Sequence, residues 1–524
     1  MAQNSPVTKI AVNSNLNTIK IKTESNTLGA LKTLVILFLI FIQFAVFIMS
    51  YLYLTHLFQW ISLLSITFSI ITCIYVLSSN KSGQVKATWI LFLLICSSFG
   101  FIIYLLSDER ILFRTSKKKY NKIHKDTENL IPQTRIPTKI SAETKEMCNY
   151  LKNAGNFSCY QNSSLEYFSS GTQLFDDILE KIATAKSYIF IEYFIISDGT
   201  LFNRFYDILA EKAKAGVDVR IIYDDMGSHN TLSRKNKKRV VDAGIKLKPF
   251  NKLVPMFNIA LNLRNHRKIV VVDGQIAYTG GANLADEYIN EKRMHGYWKD
   301  CGIRLQGECV NAFVVEYLRQ WQFLTNETIN YENFLNKHIS QKSTSAVIPF
   351  VDGPNLNDRI GRNAYINMIA NAKEKLYIMS PYFIPDETII SMLSAKAQAG
   401  VDVKLILPDI ADKRFVYYVS RSIAEKLTDS GVQLFTMTKS FVHSKIVLNE
   451  HSVIVGSINV DQRSFTQQFE SAVFTNDEKI LKSVENDFKK TIKNSLMVTG
   501  KHKKNNNLIH RILAGLFRII SPFM

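Results

Sequence analysis

The sequence predicts an α/β protein in which N-terminal transmembrane helices precede two homologous α/β lobes. Three features of the 524 residues support this prediction: long uncharged apolar runs near the N-terminus, a repeated helix–glycine–strand segment, and a histidine–lysine pair in each repeat. With 47% apolar residues and only 22 Gly and 11 Pro, the chain can form folded cores and is not collagen-like or of low complexity.

Three apolar runs without a charged residue lie at about 33–54, 57–79 and 87–107. Each is long enough to cross a bilayer, because about 20 apolar residues cover a hydrocarbon core of about 30 Å. A buried core helix rarely stays uncharged on every face. The first run also begins too late and is too long for a signal peptide. These transmembrane segments predict a multi-pass protein of the cell membrane.

The net charge of +19 is concentrated beside these runs. The basic N-terminal tail (1–32) carries +3, the stretch 80–125 carries +7 and the basic amphipathic tail (501–524) carries +5, which leaves +4 for 126–500. This distribution favours anionic membrane lipids as partners, whereas a nucleic-acid enzyme would carry its basic excess in the soluble body. The tail 501–524 either docks on the protein or lies on the bilayer. Three spans would place similar numbers of basic residues on both sides, so orientation stays open.

The segment 108–159 is expected to be a linker and the approach to the soluble domain, after which the chain repeats itself. Ala213–Asp225 and Ala397–Asp409 share the pattern Ala-x-Ala-Gly-Val-Asp-Val, 184 residues apart. Each copy is typical of a helix end, a glycine cap and a buried strand. We therefore expect two homologous α/β lobes at 160–335 and 340–495, with helices on the faces of mixed or parallel sheets.

A histidine and a lysine two residues apart occur once in each lobe, followed by an acid and then by a Gly-(Gly/Ser)-x-Asn segment. The first set is His266, Lys268, Asp273 and Asn283, and the second is His443, Lys445, Glu450 and Asn459. Residues two apart share a face of a strand, so each histidine lies beside its lysine. One such pair would be incidental, but two with the same extension predict a single site built from both lobes.

One imidazole from each lobe suits phosphodiester exchange through a covalent intermediate. One histidine attacks phosphorus, while the other protonates the leaving alkoxide and then takes a proton from the incoming alcohol. Both lysines and both asparagines of the two sets are predicted to hold the phosphate oxygens without a metal. No Cys-x-x-Cys or His/Cys cluster suggests a metal site, and no cofactor is expected.

This doubled pattern resembles the phospholipase D superfamily, and other segments resemble its bacterial cardiolipin synthases. Those segments begin at Tyr223 (Tyr-Asp-Asp-Met-Gly), Asn265 (Asn-His-Arg-Lys), Tyr297 (Tyr-Trp-Lys-Asp), Ser380 (Ser-Pro-Tyr-Phe-Ile-Pro-Asp) and Asp461 (Asp-Gln-Arg-Ser-Phe). The resemblance extends from about residue 85 to the C-terminus. It implies two phospholipase D-like lobes with a metal-independent active site between them, facing the cytoplasm.

The resemblance also implies a reaction in which two phosphatidylglycerol molecules give cardiolipin and glycerol. The alternative is a membrane-bound phospholipase D or another phosphatidyltransferase that uses water or a different alcohol, because the motif chemistry is the same. A nuclease is disfavoured by the nearly neutral body, which also argues against nucleic acid as a partner. A catalytically dead scaffold is disfavoured because both histidines, both lysines and both asparagines are present.

Within this resemblance we predict His266 as the nucleophile and His443 as the general acid and base, although the symmetry of the motifs leaves the reverse open. Asp273 and Glu450 are predicted to anchor the motif of their own lobe. Glu450 departs from the family pattern, which has Asp there, and the extra apolar run is a second departure. Three further acids could buffer the site or simply solvate strand ends: Glu192, Asp300 and Glu470.

Overall fold

The computed structural model describes residues 38–499 apart from gaps at 39–40, 43, 55, 58, 80, 82, 97–98, 108–113, 132–133, 254–262, 337–344 and 357. The predicted tails, 1–32 and 501–524, lie outside the described residues. The described helices are α1 (Phe44–Leu54), α2 (Gln59–Ser78), α3 (Gly83–Ile95), α4 (Gly100–Ser107), α5 (Arg114–Asp126), α6 (Ala142–Gly155), α7 (Gly171–Ala183), α8 (Thr200–Lys214), α9 (Arg234–Asp242), α10 (Val310–Thr325), α11 (Ile360–Ala370), α12 (Glu387–Gln398), α13 (Arg414–Leu427), α14 (Gln462–Thr466) and α15 (Glu478–Lys493).

The strands occur in two groups, one in each half of the soluble body. The first group is β1 (Ser163–Phe168), β2 (Tyr188–Tyr193), β3 (Asp218–Asp224), β4 (Lys246–Phe250), β5 (Arg264–Asn265), β6 (Ile269–Val272), β7 (Ile276–Gly280), β8 (Tyr297–Lys299) and β9 (Gly302–Gly307). The second is β10 (Val347–Asp352), β11 (Lys375–Met379), β12 (Phe383–Ile384), β13 (Asp402–Pro408), β14 (Gln433–Met437), β15 (Ser440–Val442), β16 (Ile446–Asn449), β17 (Val453–Gly456), β18 (Val460–Asp461), β19 (Gln468–Thr475) and β20 (Ser495–Met497).

The two halves form sheets of the same topology. The first sheet has the order β1-β9-β7-β6-β2-β3-β4, and the second has the order β10-β19-β17-β16-β11-β13-β14-β20, with one extra strand at its edge. In both, three adjacent strands are parallel and the other pairs are antiparallel. The predicted α/β class with mixed sheets is confirmed, whereas the lobe boundaries stay predictions.

The repeated glycine ends a helix in each half. Gly216 has φ +89° and Gly400 has φ +91°, a left-handed conformation that residues with a Cβ rarely adopt. Each glycine lets the chain leave α8 or α12 and enter the buried parallel strand that follows. This is why the Ala-Gly-Val-Asp-Val pattern occurs at both places.

Two short parallel strand pairs join the halves and determine where the candidate active site lies. Strand β5 of the first half pairs with β19 of the second, while β8 of the first half pairs with β15 of the second. Apolar side chains from the inner faces of both sheets also form one core, which includes Phe190 and Val271 of the first half and Met379 and Val473 of the second. The site therefore lies at a packed interface between the sheets.

The N-terminal apolar runs fold differently from the expectation of three spans. Among the described residues, only α2 is both long and apolar enough to cross a membrane. The run 87–107 forms two shorter helices, α3 and α4, so a single continuous span over 87–107 is not confirmed. Between them, the amide of Gly100 donates to the Cys96 carbonyl oxygen at 2.6 Å, in a Cys-Ser-Ser-Phe-Gly sequence of low helix propensity.

Helices α3 and α4 pack together as a hairpin. The rings of Trp89 and Tyr104 meet edge to face with their centroids 4.9 Å apart, although 15 positions separate them. Both belong to a small buried cluster with Val76 of α2. Within the run 33–54, the longest described helical stretch is Phe44–Leu54.

Candidate active site

The two motif histidines lie at the junction of the sheets, and each faces a carboxylate from the opposite half. His266 Nδ1 is 2.9 Å from Oε2 of Glu470, which lies on β19. His443 Nδ1 is 2.7 Å from Oδ2 of Asp300, which follows β8. Both imidazoles and both carboxylates are buried. We refer to these two pairs as the first dyad (His266–Glu470) and the second dyad (His443–Asp300).

The crossed strand pairs explain how the dyads form. The amide of His266 donates to the Phe469 carbonyl oxygen at 2.8 Å, which continues the β5–β19 ladder. In the second dyad the amide of His443 donates to the Lys299 carbonyl oxygen at 2.7 Å, which continues the β8–β15 ladder. Each histidine is thus placed beside the residue that follows its backbone partner, and that residue is the acid.

The motif lysines lie on the same faces as their histidines, as predicted from the spacing. Lys268 Nζ donates to the His266 carbonyl oxygen at 2.5 Å, and Lys445 Nζ lies 2.8 Å from His443 Nδ1. Burial lowers the pKa of both ammoniums, and that of Lys445 falls to about 8. Two buried cations beside two imidazoles form a region suited to an anionic phosphodiester.

Burial also lowers the pKa of both imidazoles. The pKa of His443 falls to about 4, with Lys445 lowering it further and Asp300 opposing the change. The pKa of His266 lies well below its ordinary value, because the neighbouring lysines add to the effect of burial. Burial therefore favours the uncharged form of both imidazoles. With Nδ1 facing a carboxylate in each dyad, Nε2 is the ring nitrogen left to contact a substrate.

The pKa values of the two carboxylates shift in opposite directions. Burial raises the pKa of Glu470 well above its ordinary value, although Lys268 opposes this rise. Burial also tends to raise the pKa of Asp300. The nearby His443 and Lys445 lower this pKa by more, so it lies below its ordinary value. The second dyad thus has a firmly ionised acid, which stabilises the imidazolium form of its histidine.

The second residue of each Gly-(Gly/Ser) pair lies against the carboxylate of a dyad acid. A Cβ at Gly281 would lie 2.1 Å from Asp300 Oδ1 and 2.8 Å from the His443 carbonyl oxygen, so only glycine fits. At the equivalent place in the second half, Ser457 donates its hydroxyl hydrogen to Glu470. Both positions therefore accommodate the dyad acids.

Asp273 and Glu450 lie at the far ends of the motif strands and contact neither histidine. Asp273 accepts hydrogen bonds from three successive amides that begin β2: Lys186 at 2.7 Å, Ser187 at 2.8 Å and Tyr188 at 2.8 Å. Glu450 accepts from the amides of Lys373 at 2.7 Å and Lys375 at 3.3 Å. Both acids therefore tie the motif to the start of the neighbouring strand of their own half.

The two motif asparagines are buried but differ in their contacts. Asn283 accepts from the Ile195 amide at 3.2 Å and donates to the Tyr288 hydroxyl at 2.6 Å, so both ends of its amide are engaged. The Oδ1 atom of Asn459 has no hydrogen-bond partner among the described residues. A phosphate-binding role stays a prediction for both.

The rings around the two histidines also differ. Trp298 and Tyr288 lie 5.3 and 5.4 Å from the His443 ring, and Phe441 lies 5.9 Å away. Beside His266 the corresponding contact is with Phe194, at 5.2 Å. Among the described residues, no group of three or more His, Cys, Asp or Glu side chains is arranged to hold a metal ion.

Comparisons with known proteins agree on one family. A family profile described as "Cardiolipin synthase, PLD-like domain" matches residues 178–294 and 365–492. Cardiolipin synthase 2 of Bacillus cereus is 32% identical over 470 residues, which cover 87% of this chain and 90% of that protein. A cardiolipin synthase of Staphylococcus aureus strain N315 is 33% identical over 460 residues, covering 85% and 92%.

A solved structure supports the fold. The crystal structure of phosphatidylserine synthase from Haemophilus influenzae Rd KW20 matches with a TM-score of 0.55 at 15% identity. The match covers 72% of this chain and 98% of that one. The likeness therefore extends over that entire enzyme and shows a shared architecture.

Proposed function

The chain belongs to the bacterial cardiolipin synthases with a PLD-like domain, and we propose that it joins two phosphatidylglycerol molecules through a phosphatidyl group carried on His266. The observation that carries this proposal is the crossed pairing of the histidines. Each imidazole is oriented through Nδ1 by a buried carboxylate of the opposite half, at 2.9 Å in the first dyad and 2.7 Å in the second.

In the first half-reaction, His266 Nε2 attacks the phosphorus of one phosphatidylglycerol. The bond from phosphorus to the glycerol headgroup breaks, and His443, protonated at Nε2 once the anionic phosphodiester is bound beside it, gives that proton to the departing glycerol oxygen. The assignment of the acid to His443 is supported by Asp300, which is ionised and stabilises an imidazolium. Lys268 and Lys445 would hold the non-bridging oxygens and offset the charge that develops on the phosphorane.

In the second half-reaction, the terminal hydroxyl of another phosphatidylglycerol takes the place of glycerol. His443 removes the hydroxyl proton, the alcohol oxygen attacks phosphorus, and the bond between His266 and phosphorus breaks. The products are cardiolipin and one glycerol for two phosphatidylglycerols, so the reaction is a freely reversible exchange of one phosphodiester for another.

The test is incubation of detergent-purified protein with labelled phosphatidylglycerol and no added metal. Cardiolipin and glycerol are expected in equal amounts, and His266→Ala is expected to abolish both. Lys479→Ala, on the exposed start of α15, serves as the control and should retain activity. Phosphatidic acid as the sole product would contradict transfer to a lipid alcohol and would indicate a hydrolase.

For the membrane placement, the pattern of burial on α2 supports insertion. Its buried side chains are small or mostly polar: Ser65, Ser69, Thr72 and Val76. Large apolar side chains on the other faces are exposed, with Ile70 at 57% and Ile74 at 61%. Small residues at helix contacts and large apolar residues outside are typical of a helix surrounded by lipid.

We propose that 33–54 and α2 cross the bilayer, while the α3–α4 hairpin enters and leaves on the same side. With this topology the basic residues of 1–32, of 80–86 and of 110–125 all lie on the cytoplasmic side, and His56 is near the outer turn. The arrangement agrees with the positive-inside rule, which three full spans do not satisfy.

Thiol labelling tests this topology in intact cells, in a background in which the native cysteines are replaced. A membrane-impermeant maleimide should label His56→Cys from outside. Lys81→Cys and Lys118→Cys should react only after the cells are permeabilised. Labelling of Lys118→Cys in intact cells would contradict the hairpin and place the catalytic body outside.

A further inference from the structure

Helix α5, which follows the apolar segments, packs against α10 of the soluble body. The Tyr120 hydroxyl donates to Gln320 Oε1 at 2.8 Å, and Arg319 Nε donates to Thr127 Oγ1 at 2.8 Å just beyond the helix. Tyr120 is 1% exposed, although α5 contains seven Lys, Arg or His residues among its thirteen positions. One face of this very polar helix is therefore buried in the enzyme.

The Tyr120 ring reaches the back of the first dyad. Its centroid lies 5.7 Å from that of Phe469, the residue immediately before Glu470. The Phe469 carbonyl oxygen is also the acceptor for the amide of His266. The Tyr120 ring thus supports both members of the first dyad. It packs against Phe469, which precedes Glu470 in the chain and whose carbonyl oxygen accepts from the His266 amide.

The middle residue of the first motif belongs to the same contact. Arg267 is 1% exposed, its guanidinium lies 5.5 Å from the centre of the Phe469 ring, and it forms an ion pair with Glu316 of α10 at 4.0 Å. Burial raises the pKa of the Tyr120 phenol to about 12, and the nearby Arg267 opposes the rise. A buried arginine next to the nucleophile is thus held between α10, β19 and α5.

The second dyad is supported in a different way. Lys299, the residue before Asp300, forms a buried ion pair with Asp487 of α15 at 2.8 Å. The Tyr167 hydroxyl donates to the same Asp487 carboxylate at 2.6 Å. Tyr167, Lys299 and Asp487 lie on strands β1 and β8 and on helix α15. Within the part of the chain that the structure describes, the first dyad alone is supported by a helix, α5, that lies before the first sheet.

We propose that Tyr120 is a positioning residue for the first dyad, which makes α5 part of the catalytic scaffold. Through Phe469 and Arg267 it fixes the distance and angle between His266 and Glu470, so phosphatidyl transfer depends on the docking of α5. The exposed face of the same helix includes Lys118 and Lys122. The proposal rests on the proposed role of His266 as nucleophile.

The test compares Tyr120→Phe and Tyr120→Ala in the full-length chain, assayed in mixed micelles of phosphatidylglycerol. Tyr120→Phe keeps the ring and loses the hydrogen bond to Gln320, so kcat should fall about 3- to 10-fold. Tyr120→Ala should lower kcat by about 30-fold or more, because the ring contact with Phe469 is also lost. KM should change less than about twofold in both, since neither variant removes a group that touches the lipid.

The matched control is Asn121→Ala, at the next and exposed position of α5, which should behave as the wild type. The burst of glycerol released in the first turnover should slow in parallel with kcat, because the defect lies in formation of the phosphatidyl-enzyme. An unchanged kcat in Tyr120→Phe, where the fold is retained, would overturn the proposal, as would a loss expressed mainly in KM. A wild-type protein that releases glycerol but forms no cardiolipin would contradict the proposed function instead.

Discussion

His266 and Glu470 come from opposite halves of the chain, yet Nδ1 of the first and Oε2 of the second are 2.9 Å apart in a buried contact. His443 and Asp300 repeat this relationship in the reverse direction. Neither half can therefore assemble a complete dyad alone. The duplication of the fold supplies two imidazoles, and the exchange of acids between the halves orients both of them at the junction of the sheets.

The first prediction concerns the dyad acids. Glu470→Gln and Asp300→Asn should each reduce kcat by about 100-fold or more, because loss of the carboxylate removes the group that fixes the ring tautomer and stabilises the imidazolium. Steady-state rates of cardiolipin formation measure this effect. Glu478→Gln, an exposed acid at the start of α15, is the control. Wild-type kcat in either dyad variant would contradict the orienting role.

A second prediction follows from the glycine beside the second dyad. Gly281→Ala should reduce activity severely, since its methyl group would occupy the space of Asp300 Oδ1 and displace the His443 dyad. Ser457→Ala, at the equivalent place in the second half, removes one hydrogen bond to Glu470 and leaves space, so its loss should be smaller. The measurement is the rate of cardiolipin formation by each of the two variants, compared at equal folded fraction. A milder effect of Gly281→Ala than of Ser457→Ala would contradict the steric argument.

A third prediction concerns Glu450, which stands where the family has Asp. Its carboxylate accepts from the amides of Lys373 and Lys375 and does not approach the histidines. Glu450→Asp should therefore keep activity within about tenfold, because a small rotamer change lets the shorter side chain meet the same amides. Glu450→Ala should lower the thermal unfolding midpoint. Complete loss of activity in Glu450→Asp would show that this acid takes part in the chemistry.

A fourth prediction is a dependence of stability on pH. The pKa of His443 is about 4 in the folded protein, and it returns to about 6.5 on unfolding. Between these values the unfolded chain binds more protons, so the free energy of unfolding falls as the pH decreases from about 6.5 toward 4. His443→Gln removes this contribution. Thermal midpoints in detergent at several pH values should therefore decrease less on acidification in His443→Gln than in the wild type, and an equal decrease would contradict the low pKa.

Much of the site could be predicted from local sequence. The spacing of His266 and Lys268 on a strand, and its repetition at His443 and Lys445, was enough to predict one shared site. The acids Asp300 and Glu470 could not be chosen over strand-end solvation, because their positions depend on strand pairs between the halves. Short parallel pairs such as β5–β19 have no sequence pattern of their own.

For the membrane segments, local sequence composition was not enough to predict where the helices begin and end. Hydropathy over 87–107 hides the break between α3 and α4, because every residue there is uncharged and the average stays high. The sequence Cys-Ser-Ser-Phe-Gly, which ends at Gly100, is the local signal of the turn. Small side chains such as Ser69 on α2 are uninformative in a hydropathy average, yet they form the buried face of that helix.

The most direct test of the account is the site of the covalent intermediate. Wild-type protein would be mixed with phosphatidylglycerol labelled in its phosphate and quenched with alkali during turnover, since acid hydrolyses the phosphorus–nitrogen bond. Peptide mass spectrometry would then locate the label. The account predicts a phosphatidyl group on His266, absent from His266→Ala. A phosphatidyl group on His443 of the wild type would contradict it.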